Sequence, residues 1–465
     1  MMKLVAFYSV IGCLIQDAES FTVNSSPRAL IQKRAPSQVF ENPISSNVLT
    51  ATTTTTATTT TLHMMSPLEC FPTETLADAL TSMNREQAEI LAGPLFGASL
   101  FPYLAFLYFL NVKENDCPKG VTVGFATCLV FVFLTIPAAI TAQLWYGVSL
   151  ADSDWLHGSA ESLLTMTNLA TVVAFRQALQ AKQNGQEMPP SATSYTPTIW
   201  WVVILTAAAA VTAFVPGLTG AEQHTPYLNG FMDFPALDLT QFRAHPEPDN
   251  ALTVATWIIH VSSLVEFLVA MGFCWRWADV VKNPTWKGLT WGLLPLHSSG
   301  ITACTYHLFY NHIPVLVPFQ AFLTCFGNTT AAYAALRIAL SNGWKPPASM
   351  SFLDKFAVVA VADDTPQEEA SEQQQQPQQP QESASFVGFE DLGDALEGDN
   401  DYSFLLKLFA GCAVASYAIK YGEPFFDAPY EANTYLGFAF VLVPSTLNAF
   451  KWWKRGQDPT FEGWF

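Results

Sequence analysis

Charge is scarce in this chain. Only 13% of its 465 residues are Asp, Glu, Lys or Arg, against about 25% in an average soluble domain. The Lys and Arg residues form no dense cluster. Without a basic stripe to neutralise phosphates, the chain has no means of gripping nucleic acid. The devices of soluble catalysis are also missing: there is no GxxxxGK[ST] phosphate loop, no GxGxxG and no GxSxG elbow. None of the eight His falls in an HxxxH or HxxHH box, which argues against a two-iron membrane oxygenase. The eight Cys contain no CxxC and do not pair by spacing. Cys128, Cys274, Cys304, Cys325 and Cys412 sit in apolar segments and read as small buried hydrophobes.

Apolar residues dominate instead. Half of the chain is hydrophobic and the mean hydropathy is +0.23, which makes it an integral membrane protein. The expected fold is all-α, a polytopic transmembrane helical bundle. Runs long enough to span a bilayer, about 20 residues each, begin near Leu91, Val121, Leu156, Ile199, Thr253, Lys287, Ile313, Tyr402 and Asn433. That is nine helices, or eight if the third, LHGSAESLLTMTNLATVVAF, lies along the interface because of its polar residues. With nine alternating spans, Lys113, Lys119, Arg176, Lys182, Arg276, Lys282, Lys287, Arg337, Lys345, Lys451, Lys454 and Arg455 gather on one side, with Arg243 and Lys420 as exceptions on the other. The positive-inside rule places that side in the stroma.

The chain divides into an N-terminal address, two helical blocks, a linker and a closing hairpin. Residues 1–20, with the apolar run LVAFYSVIGCLI and the small-residue site Ala18-Glu19-Ser20, read as a signal peptide. Residues 21–66 begin at Phe21, carry Arg28, Lys33 and Arg34, and are rich in Ser and Thr. They resemble a transit peptide, so the pair reads as a bipartite plastid presequence; the alternative is a secreted chain with a Thr-rich stalk. A four-helix block follows at 91–218 and a three-helix block at 253–340. The linker at 346–400 holds SEQQQQPQQPQES and most of the net charge of −18, and is expected to be disordered. Its end, FVGFEDLGDALEGDNDY, reads either as solvated spacer or as a docking motif. Residues 402–465 form a transmembrane hairpin with an aromatic tail.

Ionisable groups inside apolar segments are costly, and they usually face the bundle interior and mark a ligand, ion or proton site. His157, Glu161, Thr165 and Asn168 recur at helical spacing and line one face, a polar intramembrane seam in which His157 can pair with Glu161. Thr256, His260, Ser263 and Glu266 fall within an arc of about 120° by the same geometry. His297 follows Pro295, and His307 lies on the same segment. His260, His297, His307 and Glu266 therefore form the candidate cofactor-binding set. Three His and one Glu suit a transition metal, two His on different helices suit a haem iron, and one suits a chlorophyll magnesium. Each is also a plain helix-to-helix hydrogen bonder. On the basic side, Arg276, Trp286 and Lys287 flank Asn283-Pro284, with Trp275, Trp277 and Trp291 completing an interfacial aromatic belt. Pro137, Pro295 and Pro444 interrupt three helices, as broken helices at a transport site do.

The run TWIIHVSSLVEFLVAMGFCWRWADVVKNPTWKGLTWGLLPLHSSGITACTYHLFYN, continuing to FQAFLTCFGNTTAAYAALRI, resembles an uncharacterised Ycf49-like membrane family of cyanobacteria and plastids. Its marks are HVSS with a following Glu, NPxWKGLxWGxLPxH and CTYHxFYN. The preceding block, with LHGSAE and Thr167-Asn168, resembles a second uncharacterised plastid membrane family. These resemblances imply a plastid membrane protein, in the thylakoid ahead of the inner envelope. The expected role is an auxiliary or assembly factor for photosynthetic complexes that binds chlorophyll or haem, with membrane lipids, complex subunits and pigments as partners. The alternatives are a proton-coupled transporter and a membrane enzyme of pigment or lipid metabolism; no catalytic residue stands out.

Overall fold

The computed structural model describes residues 78, 80–115, 117–186, 245, 248, 250–353, 396 and 398–457. The expected presequence, the helix beginning near Ile199, most of the acidic linker and the aromatic tail lie outside them. The described residues form helices and connecting turns with no strand among them, and eight of the helices are long: α1 (Arg85–Leu110), α2 (Lys119–Tyr146), α3 (Asp154–Gln183), α4 (Val254–Val280), α5 (Lys287–Leu308), α6 (Leu316–Ser341), α7 (Asp401–Gly422) and α8 (Thr434–Gln457).

Local chemistry sets several of the starts. Asn84 and Gln87 form a capping box at α1, the Thr253 side chain accepts from the Thr256 N–H at α4, and the Asn400 side chain accepts from the Ser403 N–H at α7. The prolines at 94, 102, 137, 295 and 444 sit inside continuous helices, so the expected proline breaks at 137, 295 and 444 are absent. Neighbouring helices and side chains can re-satisfy the carbonyls such prolines free.

Among the described residues, four helices are long and apolar enough to cross a membrane: Arg85–Leu110, Lys119–Tyr146, Val254–Val280 and Asp401–Phe425. That is fewer than the nine runs suggest: the run near Ile199 lies outside the described residues, and α3, α5, α6 and α8 carry too many polar residues to reach the same apolarity. Only 17% of the apolar stretch of α1 or α2 is covered by protein, against 56% for α4. α1 and α2 therefore stand at the periphery, and α2 presents Leu134, Ile136, Ile140 and Leu144 outward. An apolar surface of this extent calls for lipid or protein against it. α3, by contrast, is mostly buried, and a helix enclosed by other helices can carry His, Ser, Thr and Asn because its neighbours satisfy them.

α4 and α5 pack together at the centre. α3 lies against α4 with α2 outside it, α6 lies against α5 with α1 outside it, α7 packs on α4, and α8 packs on α5. The two sequence blocks are thus interleaved around one core that includes Phe106, Phe125, Phe175, Trp257, Phe273, Leu293, Ala335, Phe404 and Trp452. Helix ends sort into two sets. At one, the Asn342 amide donates to Asn115 and the Arg176 guanidinium to Asp401, while Trp275 rests on Trp452. At the other, the Thr253 N–H donates to Asp154, the Asn311 amide to Asp152, and Arg85 pairs with Asp152 at 2.7 Å.

Glycine permits the closest helix approaches. A Cβ at Gly124 would stand 2.3 Å from Thr171 Oγ1, one at Gly292 2.8 Å from the Thr330 carbonyl oxygen, and one at Gly327 2.7 Å from the Leu296 nitrogen, whereas one at Gly93 or Gly97 would meet nothing within 4 Å. Replacing Gly124 or Gly292 by Ala is expected to cost about 1–3 kcal/mol through overpacking. Replacing Gly93 or Gly97 is expected to be neutral or mildly stabilising. Thermal unfolding of the four variants in detergent checks this, and equal midpoints in all four would contradict the packing described.

Candidate functional site

Three helices bring three imidazoles together. His157 is in the first turn of α3, His260 in the second turn of α4 and His307 in the last turn of α5. Their ring centroids are 4.9 Å (His157 to His260), 4.8 Å (His157 to His307) and 4.9 Å (His260 to His307) apart. Each ring offers one nitrogen such that the three lie within 4.8 Å of one another, and all three residues are buried.

The tautomers follow from what each nitrogen touches. His260 Nδ1 is 2.9 Å from the Thr256 carbonyl oxygen. A carbonyl only accepts, so Nδ1 carries the hydrogen and Nε2 of a neutral ring keeps a free lone pair. That lone pair faces His157 Nε2 at 3.0 Å, which makes His157 Nε2 the donor. His157 Nδ1 and His307 Nδ1 are buried without a hydrogen-bond partner. A buried nitrogen left unpaired costs about 1–3 kcal/mol, and two of them in one cluster leave its hydrogen bonding incomplete.

A polar cap borders the cluster. Asn311, beside the His307 ring, donates to Asp152 Oδ1 at 2.8 Å and to the Ala151 carbonyl at 3.1 Å. Arg85 bonds Asp152 and the Tyr306 hydroxyl. Tyr310 and Asn311 both hold positive φ, 48° and 62°, an unusual conformation for side chains other than Gly. It turns the chain sharply just after His307. The Tyr310 hydroxyl reaches that of Tyr430 at 3.2 Å, and burial pushes the Tyr310 phenol well above its ordinary range.

The set expected from sequence is redistributed. His297 lies ten residues from His307, about 15 Å along the helix, and faces Phe267 and Asn448 instead. Glu266 is about 9 Å along α4 from His260 by the same rise and lies near Cys412 of α7, with Oε2 buried and unpartnered. His157, expected to pair with Glu161, turns to His260. Glu161, one turn further along α3, lies within electrostatic reach of Cys128 and Cys304. Asn168 donates to the Ser263 carbonyl at 3.1 Å, and Thr165 bonds the Ser263 hydroxyl at 2.9 Å, so this part of the seam joins α3 to α4.

On the basic side the aromatic belt is partly core. Trp277, on α4, and Trp286 are buried and meet edge to face, and Asn283 pins the loop that carries Trp286 to Ser341 and Asn342. Trp286 also lines a polar recess of about 330 Å³ with Lys182, Lys282 and Asn115. Lys287 pairs with Asp279 at 2.8 Å and sits over the Trp275 ring, and Arg276 is half-buried nearby.

One residue that spacing gave no reason to single out organises the same end. Arg176, 2% exposed, donates to Asp401 Oδ1 at 3.2 Å, to the Leu396 carbonyl at 3.1 Å and to the Asp399 carbonyl, and lies over the Phe404 ring. Gln177 donates to the other Asp401 oxygen at 2.7 Å. The hydrogen bond from Lys407 holds the Asp399 carboxyl below its ordinary range. The end of the acidic linker is thus seated on α3.

Two families of unknown function match parts of the chain, DUF3593 over residues 92–180 and DUF2499 over residues 251–337. A Ycf49-like protein of Synechocystis sp. is 41% identical over 88 residues, covering 18% of this chain and 85% of that protein. An uncharacterised protein, ycf49, of Cyanophora paradoxa is 33% identical over 89 residues, covering 19% of this chain and 87% of that protein. No solved structure matches.

Removing the Arg176 head while keeping its bulk, as in Arg176→Met, takes the donor from Asp401 Oδ1 and from two carbonyls and leaves Asp401 only its bond from Gln177. The expected loss is about 3–5 kcal/mol, with the linker end becoming a protease site. Limited proteolysis and unfolding midpoints measure both effects, and an unchanged cleavage pattern would show that Arg176 does not hold the linker.

Proposed function

Because the chain belongs to the Ycf49-like family, we propose that it is a polytopic integral membrane protein of plastids, acting as an auxiliary or assembly factor for photosynthetic complexes through the pocket of His157, His260 and His307. The relatives in a cyanobacterium and in Cyanophora paradoxa support this setting, as do the four membrane-length helices and the apolar outer faces of α1 and α2. The N-terminal address read from the sequence supports delivery to a plastid, and the photosynthetic relatives favour the thylakoid over the envelope. One observation carries the choice of site: three imidazoles from three helices share one buried pocket whose hydrogen bonding is incomplete.

The same geometry bears on the ligand. A macrocycle held between two axial His needs its full thickness between their rings, and here every pair of rings is within 4.9 Å. That spacing favours a compact ligand over a haem held between two of these histidines. The transporter reading loses the support of broken helices, since α2, α5 and α8 run through their prolines.

Replacing the gene in a plastid-bearing host tests the proposal. The tagged protein is expected in the carbonate-resistant fraction of thylakoids. A His157→Gln, His260→Gln, His307→Gln triple variant is expected to reach the same membrane at the same level yet fail to restore accumulation of photosynthetic complexes. Full restoration by that variant, or recovery of the protein in the soluble fraction, would overturn the reading.

A further inference from the structure

We propose that His157, His260 and His307 hold one late first-row transition-metal ion, zinc or copper, with a coordination position left open for a small exogenous ligand. The donor atoms select the class of ion. Imidazole nitrogen suits zinc and copper, whereas magnesium, calcium and manganese favour carboxylate, carbonyl and water oxygen. Among the described residues no carboxylate or fourth imidazole joins the three nitrogens. Three protein ligands with one vacant position is also the count that zinc sites use when they bind water or substrate.

Geometry agrees with the chemistry. Zinc bound to nitrogen at 2.0–2.1 Å in a tetrahedron sets its ligands roughly 3.3 Å apart. His157 Nε2 and His260 Nε2 are already 3.0 Å apart, and the third donor lies within 4.8 Å, so modest ring rotations close the set. His260 is prepared for the task, because Thr256 fixes its Nδ1 hydrogen and leaves Nε2 facing the pocket. A carbonyl partner on the far nitrogen is what orients a metal-bound imidazole. Binding asks only that His157 move its hydrogen from Nε2 to Nδ1, which is free to take it; no proton leaves the ring.

A purely adhesive cluster would look different. Polar side chains that join helices bond to each other or to backbone across the interface, as Asn168 and Thr165 do here. The three imidazoles share one mutual hydrogen bond and leave two buried nitrogens unpaired. Three neutral ligands also leave the charge of the ion uncompensated, and Glu161, one turn along α3 from His157, is placed to supply a counter-charge.

The inference rests on the reading of this pocket as the working site, and the assay is independent of function in the host. The full chain, purified in detergent and stripped with chelator, is equilibrated separately with Zn2+, with Cu+ under reductant, with Mn2+ and with Mg2+, and bound metal is counted by mass spectrometry. One zinc or one copper per chain is expected, with a raised unfolding midpoint and no retained Mn2+ or Mg2+. Each of His157→Gln, His260→Gln and His307→Gln is expected to weaken binding at least tenfold, and the triple variant to bind nothing, while His297→Gln and Cys304→Ala bind as the parent does. Co2+ supplies a second readout: a visible absorption of four-coordinate strength in the parent and none in the triple variant. Absence of stoichiometric metal from the folded parent, or equal binding by a triple variant with the parent's helical circular dichroism, would overturn the metal while leaving the complementation result to judge the site.

Discussion

A polar side chain held away from water has to find its partner within the protein, and this constraint organises the fold. The central helices carry many Ser, Thr, Asn and His, and nearly every described interface between them has a hydrogen bond across it. Asn168 reaches the Ser263 carbonyl from α3 to α4, Thr290 reaches the Met271 carbonyl from α5 to α4, and Ser299 and Thr324 join α5 to α6. In an apolar surrounding each such bond is worth somewhat under about 1 kcal/mol. Their greater effect is on register, since a helix displaced by one residue would strand every donor. Small residues complete the fit by letting backbones approach where polar and apolar contacts alternate.

The same logic yields a quiet internal correspondence. Asn168 on α3 donates to a serine carbonyl on α4, and Asn328 on α6 donates to a serine carbonyl on α1, at 3.1 and 3.0 Å. The two amides are equivalent in chemistry and in the kind of interface they bridge. Each also lies eight or nine residues before an arginine, Arg176 or Arg337, at the basic end. The α3–α4 and α6–α1 pairs therefore use one solution twice.

Helix existence was legible because an apolar run of about 20 residues has few other uses. The expected starts at Val121, Leu156, Thr253, Lys287, Ile313, Tyr402 and Asn433 fall within three residues of those observed, and that at Leu91 falls six residues after the observed one. Cap chemistry accounts for part of the shift at α1, where the capping box at Asn84 begins the helix ahead of the strongly apolar run. The site was legible in kind and only partly in membership. Spacing along one helix shows which residues share a face, and it put His157 with Glu161 and His260 with Glu266. Which face meets which neighbour depends on the interhelix packing, so nothing in the sequence tied His157 to His260 across 103 positions. His297 and His307 share a helix, yet their separation along its axis gives them different neighbours. Trp277 and Trp286 looked interfacial because Trp favours that depth; instead Trp277 lies on the buried face of α4, and the loop pinned by Asn283 folds Trp286 against it.

Arg176 shows what a lone charge can do when it is enclosed. Its guanidinium gathers two carbonyls and a carboxylate from the stretch that leads into α7, and with Gln177 it ties the closing hairpin to the first block.

The three imidazoles do not come from one inherited module. His157 lies in the stretch matched at 92–180, while His260 and His307 lie in the stretch matched at 251–337. Neither stretch alone owns a complete pocket, and the polypeptide that links them fixes their stoichiometry at one to one and holds them at an effective concentration that separate chains reach only by binding. The proposed pocket therefore draws on both stretches, and one polypeptide supplies all three imidazoles without a second chain.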